Sequence, residues 1–181
     1  MTNQKNYIGP IVYVVHSPME PNKNLQPREN EKRKLTNQEL YSALDLAIAQ
    51  KIPIVLEPSN EAQKKFAQSI KEQNSNSQIE IINPKIVGEI ERMRNFFTKA
   101  NIYPTAIFGI GAKREICLTT GLKIMRKVFP YAELYLVKKG SLSLGLSRLT
   151  HNFLQQLRES RIKRIKRLDA SHLKAKVLHK K

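Results

Sequence analysis

The chain has a single cysteine, Cys117, in the stretch Ala106-Ile-Phe-Gly-Ile-Gly-Ala-Lys-Arg-Glu-Ile-Cys-Leu118. An apolar run ends there in glycines and the chain must turn. Leu118, Leu122, Met125 and Phe129 then recur at helical spacing as far as Pro130. This pattern puts the thiol in the first turn of a helix. The unpaired N–H groups of that turn and the helix dipole stabilise a thiolate, and the same kind of N–H group can donate to an oxyanion on a bound carbonyl. Nucleophile and oxyanion hole can thus come from one backbone feature, with Gly111, Ala112, Lys113, Arg114 and Glu115 around the carbonyl oxygen. A second chemically active type, His16, follows the apolar run Ile11–Val15. A neutral imidazole there can take a thiol proton.

The elements that must position these residues alternate in type. Ile11–Val15, Ile52–Leu56, Ile79–Ile82, Thr105–Ile110 and Glu133–Val137 are short apolar runs rich in β-branched residues, as strands covered on both faces should be. Between them, apolar residues recur at helical period: Leu40, Leu44, Ala47 and Ile48, then Ala62, Phe66 and Ile70, then Ile86, Ile90, Met93 and Phe97. Thr36 and Glu39 have capping-box spacing for the first helix, Pro21 to Lys34 reads as a polar linker, and Ser59 reads as the cap of the second helix. A last helix is expected from about Ser147, with Leu154, Leu157, Arg161, Ile165 and Leu168 on one side. Strands joined through helices imply right-handed crossovers and a parallel sheet. The expected fold is an α/β three-layer sandwich on a doubly wound sheet of five or six strands. Its site should lie at the carboxyl ends of the strands, which carry His16, Ser17, Glu57, Asn83 to Lys85, Gly111 to Cys117 and Lys138. There is no dinucleotide fingerprint, because Arg114 occupies its last glycine position, and no Walker-type loop.

The strand–glycine–cysteine–helix unit resembles the isochorismatase-like cysteine hydrolases, which include nicotinamidases and other amidases. The matching pieces are Gly111, Cys117-Leu118, the helix to Phe129 and the strand Glu133–Val137. The resemblance implies an aspartate–lysine–cysteine triad acting through a covalent intermediate on a small amide or related substrate. It assigns Cys117 as nucleophile and Lys85, in Ile81-Ile-Asn-Pro-Lys85, as the lysine. It also implies self-association into a homo-oligomer. The family's first-strand aspartate is missing: the strand ends Val15-His16-Ser17-Pro18, and Glu20 and Glu57 are the nearest carboxylates in sequence. Members of that family that bind zinc use histidines near the second strand, and none lies between His16 and His151, so the resemblance implies no metal here; no cofactor is expected. The chain departs from the family it resembles in the residue that would take the thiol proton, and a degenerate triad with His16 as base is the expectation.

Charge is the chain's outlying property. Against 15 Asp+Glu stand 32 Lys+Arg, a net charge of +17. Such a field attracts anionic partners: nucleic acid, an acidic protein or a lipid surface. The densest run contains Arg161, Lys163, Arg164, Lys166 and Arg167, so residues 1–160 read as the α/β domain and 161–181 as a basic extension. This opens an alternative, an inactive scaffold that grips an anionic partner. One cysteine allows no internal disulfide, no run is long and apolar enough for a membrane span, and the start is polar; the expected location is cytoplasmic.

Overall fold

The computed structural model describes residues 6–20, 23–83, 89–111, 117–141 and 165–168. Its elements run β1 (Tyr7–Val15), α1 (Pro27–Ala49), β2 (Ile54–Glu57), α2 (Glu61–Gln73), β3 (Ile79–Ile81), α3 (Ile90–Lys99), β4 (Ile102–Gly111), α4 (Thr119–Val128), β5 (Glu133–Ser141) and β6 (Ile165–Leu168). The strands form one sheet in the order β3-β2-β1-β4-β5-β6, and every neighbouring pair is parallel. This is the doubly wound α/β sandwich that the alternation of elements predicts.

Period-two alternation divides β1 between two cores. Ile11, Tyr13 and Val15 face α3 and α4, packing with Met93, Phe97, Leu118, Leu122 and Met125. Val12 and Val14 face α1 and α2, packing with Leu40, Leu44, Ala47 and Ala67. Burial on both faces explains the unbroken apolar run. The chain leaves β1 toward β2 on one side and returns through β4 on the other. The strand order therefore reverses between β1 and β4, and the carboxyl ends at such a switch point are where doubly wound sheets bind ligands.

Three local expectations are corrected. Helix α1 begins at Pro27, nine residues before Thr36, which is buried in its interior. The early turns are polar all round and show no apolar period, but proline is pre-set for a first helical position. Asn60, not Ser59, caps α2, its Oδ1 accepting from the Gln63 N–H at 2.9 Å. The third correction lies in the basic run. Ile165–Leu168 was expected on a helix face and instead forms β6, parallel to β5. Helical spacing in a basic segment cannot register the backbone groups on the outer edge of β5, which need partners. The expected helix from Ser147 lies outside the described residues. Among those described, no helix is long and apolar enough to cross a membrane.

Candidate functional site

At the carboxyl ends of β1, β2 and β4, a buried carboxylate gathers its neighbours. Glu57 ends β2 and is only 6% exposed. The Tyr13 hydroxyl donates to Glu57 Oε2, while His16 Nε2 lies 3.5 Å from Oε1, within ion-pair range. The pairing of the strands sets this up. Val15 registers with Glu57, and the His16 N–H donates to the Glu57 carbonyl at 2.9 Å. His16 then turns into the left-handed region, φ 52°, which lets the chain leave β1 sharply with the imidazole kept beside Glu57.

The loop after His16 is clamped from two helices. Asn37 of α1 accepts from the Met19 N–H at 3.0 Å and donates to the Met19 carbonyl at 2.8 Å. Gln63 of α2 donates to the Pro18 carbonyl at 3.2 Å, and Arg33 donates to the Glu20 carbonyl at 2.7 Å. Each bond satisfies a backbone group at the strand's exit and so fixes where His16 starts.

Cys117 is partly buried at the head of α4, in a π turn formed with Leu118. One helical turn later comes Gly121, where a Cβ would stand 2.7 Å from the Tyr13 hydroxyl. Cys117 packs against the same core cluster that contains Tyr13. Burial pushes the Tyr13 phenol well above its ordinary value; the Glu57 charge, the hydrogen bond to Glu57 and then Cys117 push the same way. Tyr13 thus keeps its proton and commits it to Glu57. Among the described residues no three His, Cys, Asp or Glu side chains close on a point that could hold a metal ion.

This arrangement carries a pH signature. The unfolded chain releases the tyrosine proton near 10, where the folded chain cannot release it from Tyr13. Stability from this group is therefore full below pH 10 and is lost as pH rises from there toward Tyr13's own, higher value. Half-buried Tyr7, pushed up to about 12 by burial, adds to the same slope. Tyr13→Phe should remove about 1.5–3 kcal/mol at pH 7, the worth of a hydrogen bond to a charged group. It should also flatten the fall in urea midpoint between pH 10 and 11.5, an unchanged slope being the contrary result.

Of the residues that the sequence offers for the site, His16, Glu57, Gly111 and Cys117 fall on described strand ends and the head of α4. Lys85 and the stretch Ala112, Lys113, Arg114 and Glu115 lie outside the described residues, as do Arg161, Lys163 and Arg164, whereas Lys166 and Arg167 belong to β6. Tyr13 was missed. Its place inside an apolar run makes it read as core, yet a buried tyrosine hydroxyl needs a partner, and the one strand-end carboxylate on the neighbouring β2 was available. The chain matches no family model, no curated protein and no solved structure.

Proposed function

We propose that the chain is an isochorismatase-like cysteine hydrolase acting on a small amide or related C–N or C–O substrate. What supports the reading is a helix-head thiol close enough to Tyr13 to push its phenol upward, in a sheet where Tyr13 and His16 both partner the buried Glu57. His16 takes the Cys117 proton, and the thiolate adds to the carbonyl carbon, forming a C–S bond. The C–N bond then breaks as His16 returns the proton to the leaving amine. Water hydrolyses the thioester, giving the acid and the free thiol. Backbone N–H groups after Gly111 would hold the oxyanion, and Lys85 would stabilise the charged states.

The test uses the lone cysteine. Iodoacetamide alkylation followed by intact mass reports Cys117 alone, and its rate against pH gives the thiol midpoint. A working nucleophile should react with a midpoint at least about one unit below the ordinary ~8.5. A midpoint at or above 8.5 in the folded protein would make Cys117 structural.

The charge of +17 favours a second reading, a scaffold that binds a polyanion through its basic surface. It expects binding to duplex DNA or heparin whose logarithmic affinity falls steeply and linearly with log salt. Weak binding with no salt dependence would remove it. This measurement is independent of the thiol, so the two readings stand or fall separately.

A further inference from the structure

We propose that the groove between the first turns of α1 and the loop leaving β1 binds a small organic anion with an aromatic body. The site goes beyond the hydrolase reading and does not depend on it.

Helix α1 outruns the core beneath it. Its buried residues begin at Thr36 and continue through Leu40, Ala43, Leu44 and Ala47, so residues 27–35 reach about 13 Å past them. Because α1 follows β1, this overhang stands at the carboxyl end of the sheet. A cavity of about 470 Å³ opens along it, a size typical of small-molecule sites. Its α1 wall is the stripe Arg33, Lys34, Asn37, Gln38 and Tyr41, and Met19 adds a wall from the exit loop. Neither His16, Glu57 nor Cys117 lines it, and α1 packs on the other face of the sheet from Cys117.

The walls are held in place by the fold itself. Asn37 bonds to both the N–H and the carbonyl of Met19, at 3.0 and 2.8 Å, and Arg33 donates to the Glu20 carbonyl at 2.7 Å. The Tyr41 ring packs edge-on against Phe66 of α2, with centroids 5.9 Å apart. A ligand therefore meets a formed site, and little ordering opposes its binding.

The lining selects the ligand. Tyr41, 43% exposed, and Met19 offer apolar surface to a flat ring. Lys34 is exposed and has no hydrogen-bond or ion-pair partner among the described residues, and Arg33 has donors left over after its bond to Glu20. Glu31 is the one carboxylate of the lining and is outnumbered by the two cations. A net charge of +17 attracts anions everywhere on the surface. What is local here is an uncommitted cation beside an apolar, preformed hollow.

The probe is 2-naphthoate, with 2-naphthalenemethanol as its uncharged counterpart and acetate as the anion without a ring, compared by equilibrium dialysis at physiological salt. Naphthoate should bind saturably, at least about tenfold more tightly than the alcohol, the worth of a hydrogen bond to a charged group. Acetate, lacking the ring's apolar area, should compete only at concentrations about a hundredfold higher. Lys34→Gln should weaken naphthoate about five- to tenfold and leave the alcohol unchanged. Lys127→Gln controls for the overall field. Lys127 is exposed on α4, across the sheet, and its loss removes the same unit of charge, so both affinities should stay in place. Unsaturable binding, an alcohol or acetate that binds as well as naphthoate, or a Lys34→Gln protein that binds naphthoate like wild type would each overturn the proposal. So would equal losses in the two lysine variants, which would assign the anion to the charge of the whole chain.

Discussion

Gly111→Ala should leave little folded protein. Gly111 is the last residue of β4 and has φ 140°, a region that L side chains rarely adopt. A Cβ there would land on the Val15 carbonyl oxygen and stand 2.8 Å from the Val15 carbonyl carbon and 2.9 Å from its nitrogen. All three are backbone atoms of β1, and Val15 is the register partner of Gly111. No side chain can rotate away; β1 and β4 must part at their carboxyl ends. Backbone strain of about 1–3 kcal/mol adds to the cost of separating two central strands. A total above about 4 kcal/mol would consume much of the stability of an ordinary domain. Gly109→Ala is the internal comparison. Its Cβ would meet only the ends of Leu122 and Leu118, at 3.0 and 3.1 Å, and those can shift. Soluble yield and urea midpoints should separate the two variants widely. A Gly111→Ala protein within about 1 kcal/mol of wild type would show that the ends of β1 and β4 part easily.

That pair of glycines also marks the limit of what the sequence discloses. The alternation of apolar runs and helical periods was enough for the doubly wound sandwich, because strands covered on both faces and helices with one apolar stripe are local patterns. The same patterns could say that a strand ended near Gly111, but not that its backbone would touch Val15. Register between strands ninety-odd residues apart is set by packing across the whole sheet, and no single segment encodes it. The start of α1 was hidden for a different reason. Its early turns make no stripe, since they extend past the core and only Thr36 onward is buried.

The site divides along the same line. Cys117 could be placed at a helix head from the glycines and the apolar spacing around it. His16 and Glu57 could be placed at strand ends, but their meeting depends on β1 and β2 being neighbours in register, Val15 opposite Glu57. Tyr13 needed more still: the knowledge that its face of β1 lies under α4 and that Gly121 lets the hydroxyl approach. Read alone, β1 offers His16 no carboxylate; beside β2, the buried Glu57 stands one strand away and faces it.

Cys117→Ala then separates chemistry from architecture. The side chain is partly buried, is the smallest apolar group at the head of α4, and packs against the edge of a core formed by fully buried neighbours. Trimming a single sulfur there should cost about 1 kcal/mol or less, with the urea midpoint close to wild type. Activity should respond very differently. On the hydrolase proposal, Cys117→Ala leaves only binding and oxyanion stabilisation, so turnover of any small amide that wild type hydrolyses should fall at least about a thousandfold. Cys117→Ser should fall almost as far, because a hydroxyl is a far weaker acid than a thiol, and the helix head with His16 cannot ionise it at neutral pH. An Ala variant that is as stable as wild type and still turns over amides would place the nucleophile elsewhere. An Ala variant that unfolds would assign Cys117 to the core, and the charge of the surface would then have to carry the function.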